Sequence, residues 1–60
     1  MMAAPVRLAV VTHMLKQKGF FLHHVSGSHH VFKNAAGRPF IVPVHKNQVK
    51  FVYVKQIEKL

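Results

Sequence analysis

The chain predicts a small α+β domain running helix, strand, strand, strand, helix, and three observations lead there. An apolar stripe recurs at helical spacing near the N-terminus and stops at a glycine. Three runs rich in aromatic and branched residues follow, separated by turn formers. A final apolar run then closes the chain, with spacing that a helix can use.

The first helix is expected over Val6–Lys18. Leu8, Val11 and Leu15 share one face, Val10 and Met14 widen it, and Arg7, Thr12, Lys16 and Gln17 stay polar. Lys16 and Lys18 suit the negative end of the helix dipole, and Gly19 supplies a left-handed cap. Phe20–Val25 and His29–Lys33 flank Ser26-Gly27-Ser28 and read as a hairpin. Asn34-Ala35-Ala36-Gly37 makes the next turn and Phe40–Val44 a third strand, where Pro43 favours an edge or a strand end. Asn47–Leu60 mixes high β propensity with Phe51, Val54 and Ile57 at three-residue spacing; a second helix with Asn47 as N-cap is expected beside the first. Both helices would then cover one sheet face and leave the other free.

Sixty residues make one domain, 1–60, with a thin core, since a chain this short buries only about 60% of its unfolded surface. Nine Lys and Arg against one acid, Glu58, give a formal charge of +8, which suits a polyanion such as RNA. The cations are dispersed rather than blocked, so a disordered basic tail is not indicated. Without cysteine there are no disulfides or thiolate–zinc sites. Pro5 and Arg7 interrupt the N-terminal apolar residues, and no run reaches the ~20 that a membrane span needs. A soluble cytoplasmic protein without membrane association is expected.

Proton-transfer chemistry falls to histidine, the side chain that ordinarily exchanges protons near neutral pH. In Ser26-Gly27-Ser28-His29-His30-Val31-Phe32 two imidazoles follow a tight turn at the start of an apolar strand, where they would be held rigidly. Alternation puts His29, Val31 and Lys33 on one face and Ser28, His30 and Phe32 on the other. With Phe32 taken as core, His29 faces the open side. Val31 as core, or a bulge at the turn, would reverse this.

The element order, with Gly19-Phe20, then Gly27-Ser28-His29 one strand later, then Pro43-x-His45, resembles the HicA family of toxins from bacterial toxin–antitoxin pairs. The resemblance covers nearly the whole chain. It implies a double-stranded-RNA-binding-like fold, ribonuclease action on messenger RNA, and a HicB-like antitoxin as partner covering the catalytic face; neither a cofactor nor a metal is expected, since histidine can carry the proton transfers. The Gly-Ser-His triplet is its specific part, and the catalytic role of the family's histidine falls on His29. Two departures mark a divergent member. His24 stands where members usually carry an arginine, and Lys50-Phe51-Val52-Tyr53 replaces the usual Gly-Thr-Leu start of the last helix.

RNA is cut without metal when a base takes the 2′-hydroxyl proton, donors stabilise the phosphorane and an acid protonates the leaving 5′ oxygen. His29 is the expected acid/base. Lys33, Arg38 and Lys46 are candidates for the RNA backbone, Arg38 through a bidentate clamp. Ser28 reads either as a turn former or as a hydroxyl that orients phosphate. His45, following Pro43, reads either as a solvated loop residue or as a second proton carrier or phosphate contact. Only one of His23 and His24 can share the face of His29, and His13 lies elsewhere. Two readings compete with the nuclease. One is a non-catalytic RNA-binding module that grips phosphates and 2′-hydroxyls. The other is a metal site from His23, His24, His29 and His30, which alternation disfavours.

Overall fold

The computed structural model describes residues 4–60. Its elements are β1 (Val6–Arg7), α1 (Leu8–Gln17), β2 (Phe21–Ser26), β3 (His29–Lys33), β4 (Pro39–Pro43), β5 (Gln48–Val49) and α2 (Phe51–Glu58). The expected plan of two helices on one face of a three-stranded antiparallel sheet holds, with strand order β2-β3-β4. A second, two-stranded sheet pairs β1 with β5, Val6 opposite Val49 and Arg7 opposite Gln48.

Helix α1 ends as the sequence requires. Gly19 takes φ 83°, the Phe20 N–H donates to the Leu15 carbonyl at 2.8 Å, and the Gly19 N–H donates to the Lys16 carbonyl at 3.0 Å. This double bond pattern around a left-handed glycine brings Phe20 back onto Leu15, and both are buried in the core. At its start the helix is shorter than the periodicity predicts. Val6 and Arg7 are extended rather than helical because they pair with β5, and the Leu8 N–H donates to the Asn47 carbonyl at 2.8 Å. Val10, expected on the buried stripe, is about half exposed, at 49%.

The second helix is also shorter, and Asn47 is not its N-cap. Asn47 and Lys46 hold positive φ, 60° and 53°, at the centre of a tight turn closed by His45 and Gln48, which exchange main-chain hydrogen bonds of 3.0 and 2.9 Å. Such a turn needs two left-handed residues, which Asn tolerates and Lys resists. Lys50 is the N-cap, extended and without a side-chain cap bond.

Val11, Leu15, Phe32, Val42, Val49 and Ile57 are the largest fully buried side chains, joined by Phe20, Val44 and Val54 in one cluster. Phe20 and Phe40 meet edge to face at 6.4 Å. Pairing assigns the sheet faces, because cross-strand partners share a face. Leu22, Phe32 and Phe40 form one such row on the helix side, and His30 and Val42 lie beside it. Val31 is buried too, yet lies outside that cluster, on the free face between His24 and Ile41.

The two sheet edges are blunted differently. The Val44 N–H donates inward to the Ser28 carbonyl at 2.7 Å, so alternation turns the nitrogens of Pro39, Ile41 and Pro43 outward. Two of those three lack a donor, which closes the β4 edge to further pairing. On β2 the register shifts between Leu22 and His24, a bulge that leaves His23 unpaired. The bulge sits in β2 and not at the turn, so the alternation of β3 is undisturbed.

Removing Phe32 should therefore unfold the molecule. Phe32→Ala is expected to cost about 3–5 kcal/mol and Ile57→Val about 0.5–1.5 kcal/mol. Val52→Ala, at a side chain 55% exposed, should stay within about 0.5 kcal/mol. Urea denaturation followed by far-UV circular dichroism measures all three; equal losses at Val52 and Phe32 would contradict the core assignment.

Candidate functional site

Turn chemistry places the central histidine. Gly27 has φ 58° at the first turn position, Ser28 follows at negative φ, and the two-residue turn leads directly into His29. A glycine-first turn of this kind matches the twist of its flanking strands, so the first residue of β3 is fixed in direction. His29 is paired on both sides, with Ser26 of β2 and Pro43 of β4. Its side chain is exposed on the helix-free face, which it shares with the buried Val31 and the half-buried Lys33.

Two further imidazoles flank it. His24 pairs with Val31 and so lies diagonally across from His29 on the same face, about 7–8 Å away by sheet geometry. Of the two adjacent β2 histidines, His24 is the one that shares the face; the His23 and His24 rings meet edge to face at 5.2 Å. His45 lies two residues beyond Pro43, where the tight turn begins. Ser28 forms the turn, its carbonyl taken by Val44 and its side chain exposed.

The basic candidates divide by position. Lys46 projects from the tight turn beside His45, at the His29 end of the sheet. Lys33 shares the His29 face but sits four residues along β3, about 13 Å away at strand rise. Arg38 lies farther still, in the loop between β3 and β4, where its N–H donates to Asn34 Oδ1 at 2.8 Å and its carbonyl accepts from the Asn34 N–H at 3.1 Å. These two cannot meet the same phosphate as His29. His30 points to the helix side, where its Nδ1 is buried without a hydrogen-bond partner.

Sequence reasoning missed Arg7, Gln48, Lys50 and Tyr53, which the β1–β5 pairing brings to this end. A cavity of about 160 Å³ is lined by Pro5, Pro43, His45, Gln48, Lys50 and Tyr53. A broader depression of about 690 Å³ lies beside it, lined in part by Arg7, Thr12, Lys46 and Asn47, and Gln48 borders both. Neither helix start carries an acidic residue in its first turn, and the residues at their caps are Arg7 and Lys50. Glu58, the one acidic side chain, lies at the opposite end of α2, so positive charge at this end is uncompensated. Among the described residues no cluster of three or more metal-binding side chains occurs, and no helix is long and apolar enough to cross a membrane.

The site is thus an exposed histidine behind a Gly-Ser turn, on a sheet whose other face is covered by two helices, in a strongly basic domain. The family model for the HicA toxin of bacterial toxin–antitoxin systems matches residues 10–60, and the chain belongs to that family. HicA toxins pair with HicB antitoxins. No curated protein and no solved structure matches the chain.

The backbone at Lys46 carries a cost that a better-suited residue would remove. Lys46→Asn keeps the tight turn and should raise stability by about 0.5–1 kcal/mol in urea denaturation. A loss of stability would show that the Lys46 side chain, rather than the turn, holds this corner together.

Proposed function

We propose that the chain is a metal-independent endoribonuclease acting on messenger RNA, with His29 as the principal acid/base. The observation that carries the reading is the placement of His29: exposed on the free face, fixed by the turn before it and by strands on both sides. Its family membership supplies the toxin role.

In the proposed reaction His29 takes the proton of a ribose 2′-hydroxyl. The freed oxygen pair attacks the adjacent phosphorus, the bond from phosphorus to the 5′ oxygen breaks, and a second imidazole gives that oxygen a proton. The products are a 2′,3′-cyclic phosphate and a 5′-hydroxyl. His24 and His45 stand on two sides of His29 and are the candidates for the second imidazole. Lys46 is placed to meet phosphate next to the cut, whereas Lys33 and Arg38 meet the chain farther along. Ser28 can orient a phosphate oxygen through its hydroxyl. Each cation engaged should make binding more sensitive to salt.

A HicB-like antitoxin is the proposed partner over this face. Phe21 and Ile41, 54% and 53% exposed there, offer apolar anchors amid the histidines. The charge of +8 favours rapid capture of an acidic protein. The half-exposed Phe21 ring, paired across from Lys33, would also serve a module that binds RNA without cutting it, because bases stack on exposed aromatic rings.

Purified protein with labelled RNA in excess EDTA separates these readings. The parent should cleave, and His29→Ala should lose at least about 100-fold in cleavage while binding is retained. His30→Leu removes the unpartnered buried nitrogen and should keep cleavage, with stability raised by about 1 kcal/mol. Binding without cleavage by the parent would leave the RNA-binding module. Neutralising Lys33, Arg38 or Lys46 should each lower the slope of log affinity against log salt by about 0.7. An unchanged slope at any of them removes that residue from the interface.

A further inference from the structure

We infer that the small cavity beside His29 is a nucleobase subsite for single-stranded RNA, with the Tyr53 ring as its stacking platform. The inference rests on the ribonuclease reading and names how that site would hold its substrate.

The cavity lies one residue from the proposed chemistry. Pro43 forms part of its wall and is the cross-strand partner of His29. A base held there would belong to a nucleotide next to the one being cut. At about 160 Å³ the space is below the 300–1,000 Å³ of ordinary small-molecule pockets, and it has room for one flat ring system rather than a base pair. A duplex, whose bases are stacked inward, cannot enter it.

Its walls have the chemistry that a base requires. Tyr53, on the first turn of α2, is half-buried and packs against the core, so part of the ring is anchored while the rest lines the cavity. Rigid aromatic surface of this kind gives stacking energy at little cost in side-chain entropy. Gln48 is held by the main-chain bonds it exchanges with His45. Its amide carries both a donor and an acceptor with which to meet a base edge. His45 adds a second ring and Lys50 a cation.

The neighbouring depression continues the path. It shares Gln48 with the cavity and presents Arg7 and Lys46, so a strand leaving the base subsite meets cations for its following phosphates. Lys46 holds an unfavourable left-handed backbone at that place, and strain of this sort concentrates where a side chain serves function.

Tyr53 is the chain's one tyrosine, so fluorotyrosine incorporation gives a single fluorine resonance. The His29→Ala protein carrying this label would be titrated with a single-stranded RNA decamer and with the same decamer as a duplex. The resonance should move with the single strand and not with the duplex. Tyr53→Ala should weaken single-strand binding roughly 5- to 150-fold, the worth of one stacked base, with the salt slope unchanged. Tyr53→Phe should bind like the parent, and Gln48→Ala should weaken binding without unfolding the domain, as circular dichroism would show. If RNA binds while the resonance stays still and Tyr53→Ala and Gln48→Ala both match the parent, the subsite is wrong and the nuclease reading survives. If the His29→Ala protein binds neither RNA, both fall together.

Discussion

Burial of Phe32 decides the rest of this molecule. It lies in β3, which has a partner strand on each side, and its side chain is buried in one cluster with residues of both helices. Because strand residues alternate, fixing Phe32 inward fixes His29, Val31 and Lys33 outward. A slip of one residue would bury His29 and expose Phe32. The loss of a buried aromatic, about 3–5 kcal/mol, is a large part of what a sixty-residue domain has to spare. Register and the outward face of His29 are thus set by one side chain. His30, carried inward by the same rule, leaves its Nδ1 buried without a partner.

The β1–β5 pairing has the second largest consequence. Two residues on each side suffice, because Val49 is fully buried and Val6 packs against the same core. The pairing sets the starts of both helices at one end of the molecule, where each contributes the positive end of its dipole. Arg7, Lys46 and Lys50 add to that field when acidic residues would relieve it. At the other end, Lys18 Nζ donates to the main-chain oxygens of Leu60 and Glu58 at 3.1 and 3.4 Å, which is a favourable use of a cation. The domain therefore keeps repulsive charge where an anion would be welcome and compensated charge where none is needed.

Local signals in the sequence were sufficient for α1, the Gly19 cap, the first hairpin and the face of His29, because each depends on neighbours within a few residues. The β1–β5 pairing was not legible: Val6 and Val49 are far apart in the chain, and a two-residue strand has no period to detect. Missing it extended α1 by two residues and turned Asn47 into a cap. The same omission hid the grouping of Arg7, Gln48, Lys50 and Tyr53, which come from both ends of the sequence. Lys33 and Arg38 stand out in the sequence only as a strand-end and a loop cation. Position along a strand was available in that reasoning, and it already separates Arg38 from His29 by most of the sheet. The signal at Lys46-Asn47 was available too, since a residue pair joining two extended segments favours a tight turn over a helix start.

The exposure of His29 is compatible with the chemistry proposed. Hydrolysis by an activated water usually calls for an enclosed site, because the protein must hold the water and exclude others. In cleavage by the neighbouring 2′-hydroxyl the nucleophile belongs to the substrate and is already next to the phosphorus. The protein has only to move protons and to hold the strand in line. Imidazoles on a flat sheet can do the first, each step contributing roughly 100- to 10,000-fold. The second needs contacts on either side of the cut, which is where the sheet itself is least equipped: His29 stands at its end, with Lys33 and Arg38 both displaced toward the other. Alignment must then come from the corner that β5 and the first turn of α2 build beyond Pro43. In so small a domain, the pairing that completes the fold would also supply the surface that positions the proposed substrate.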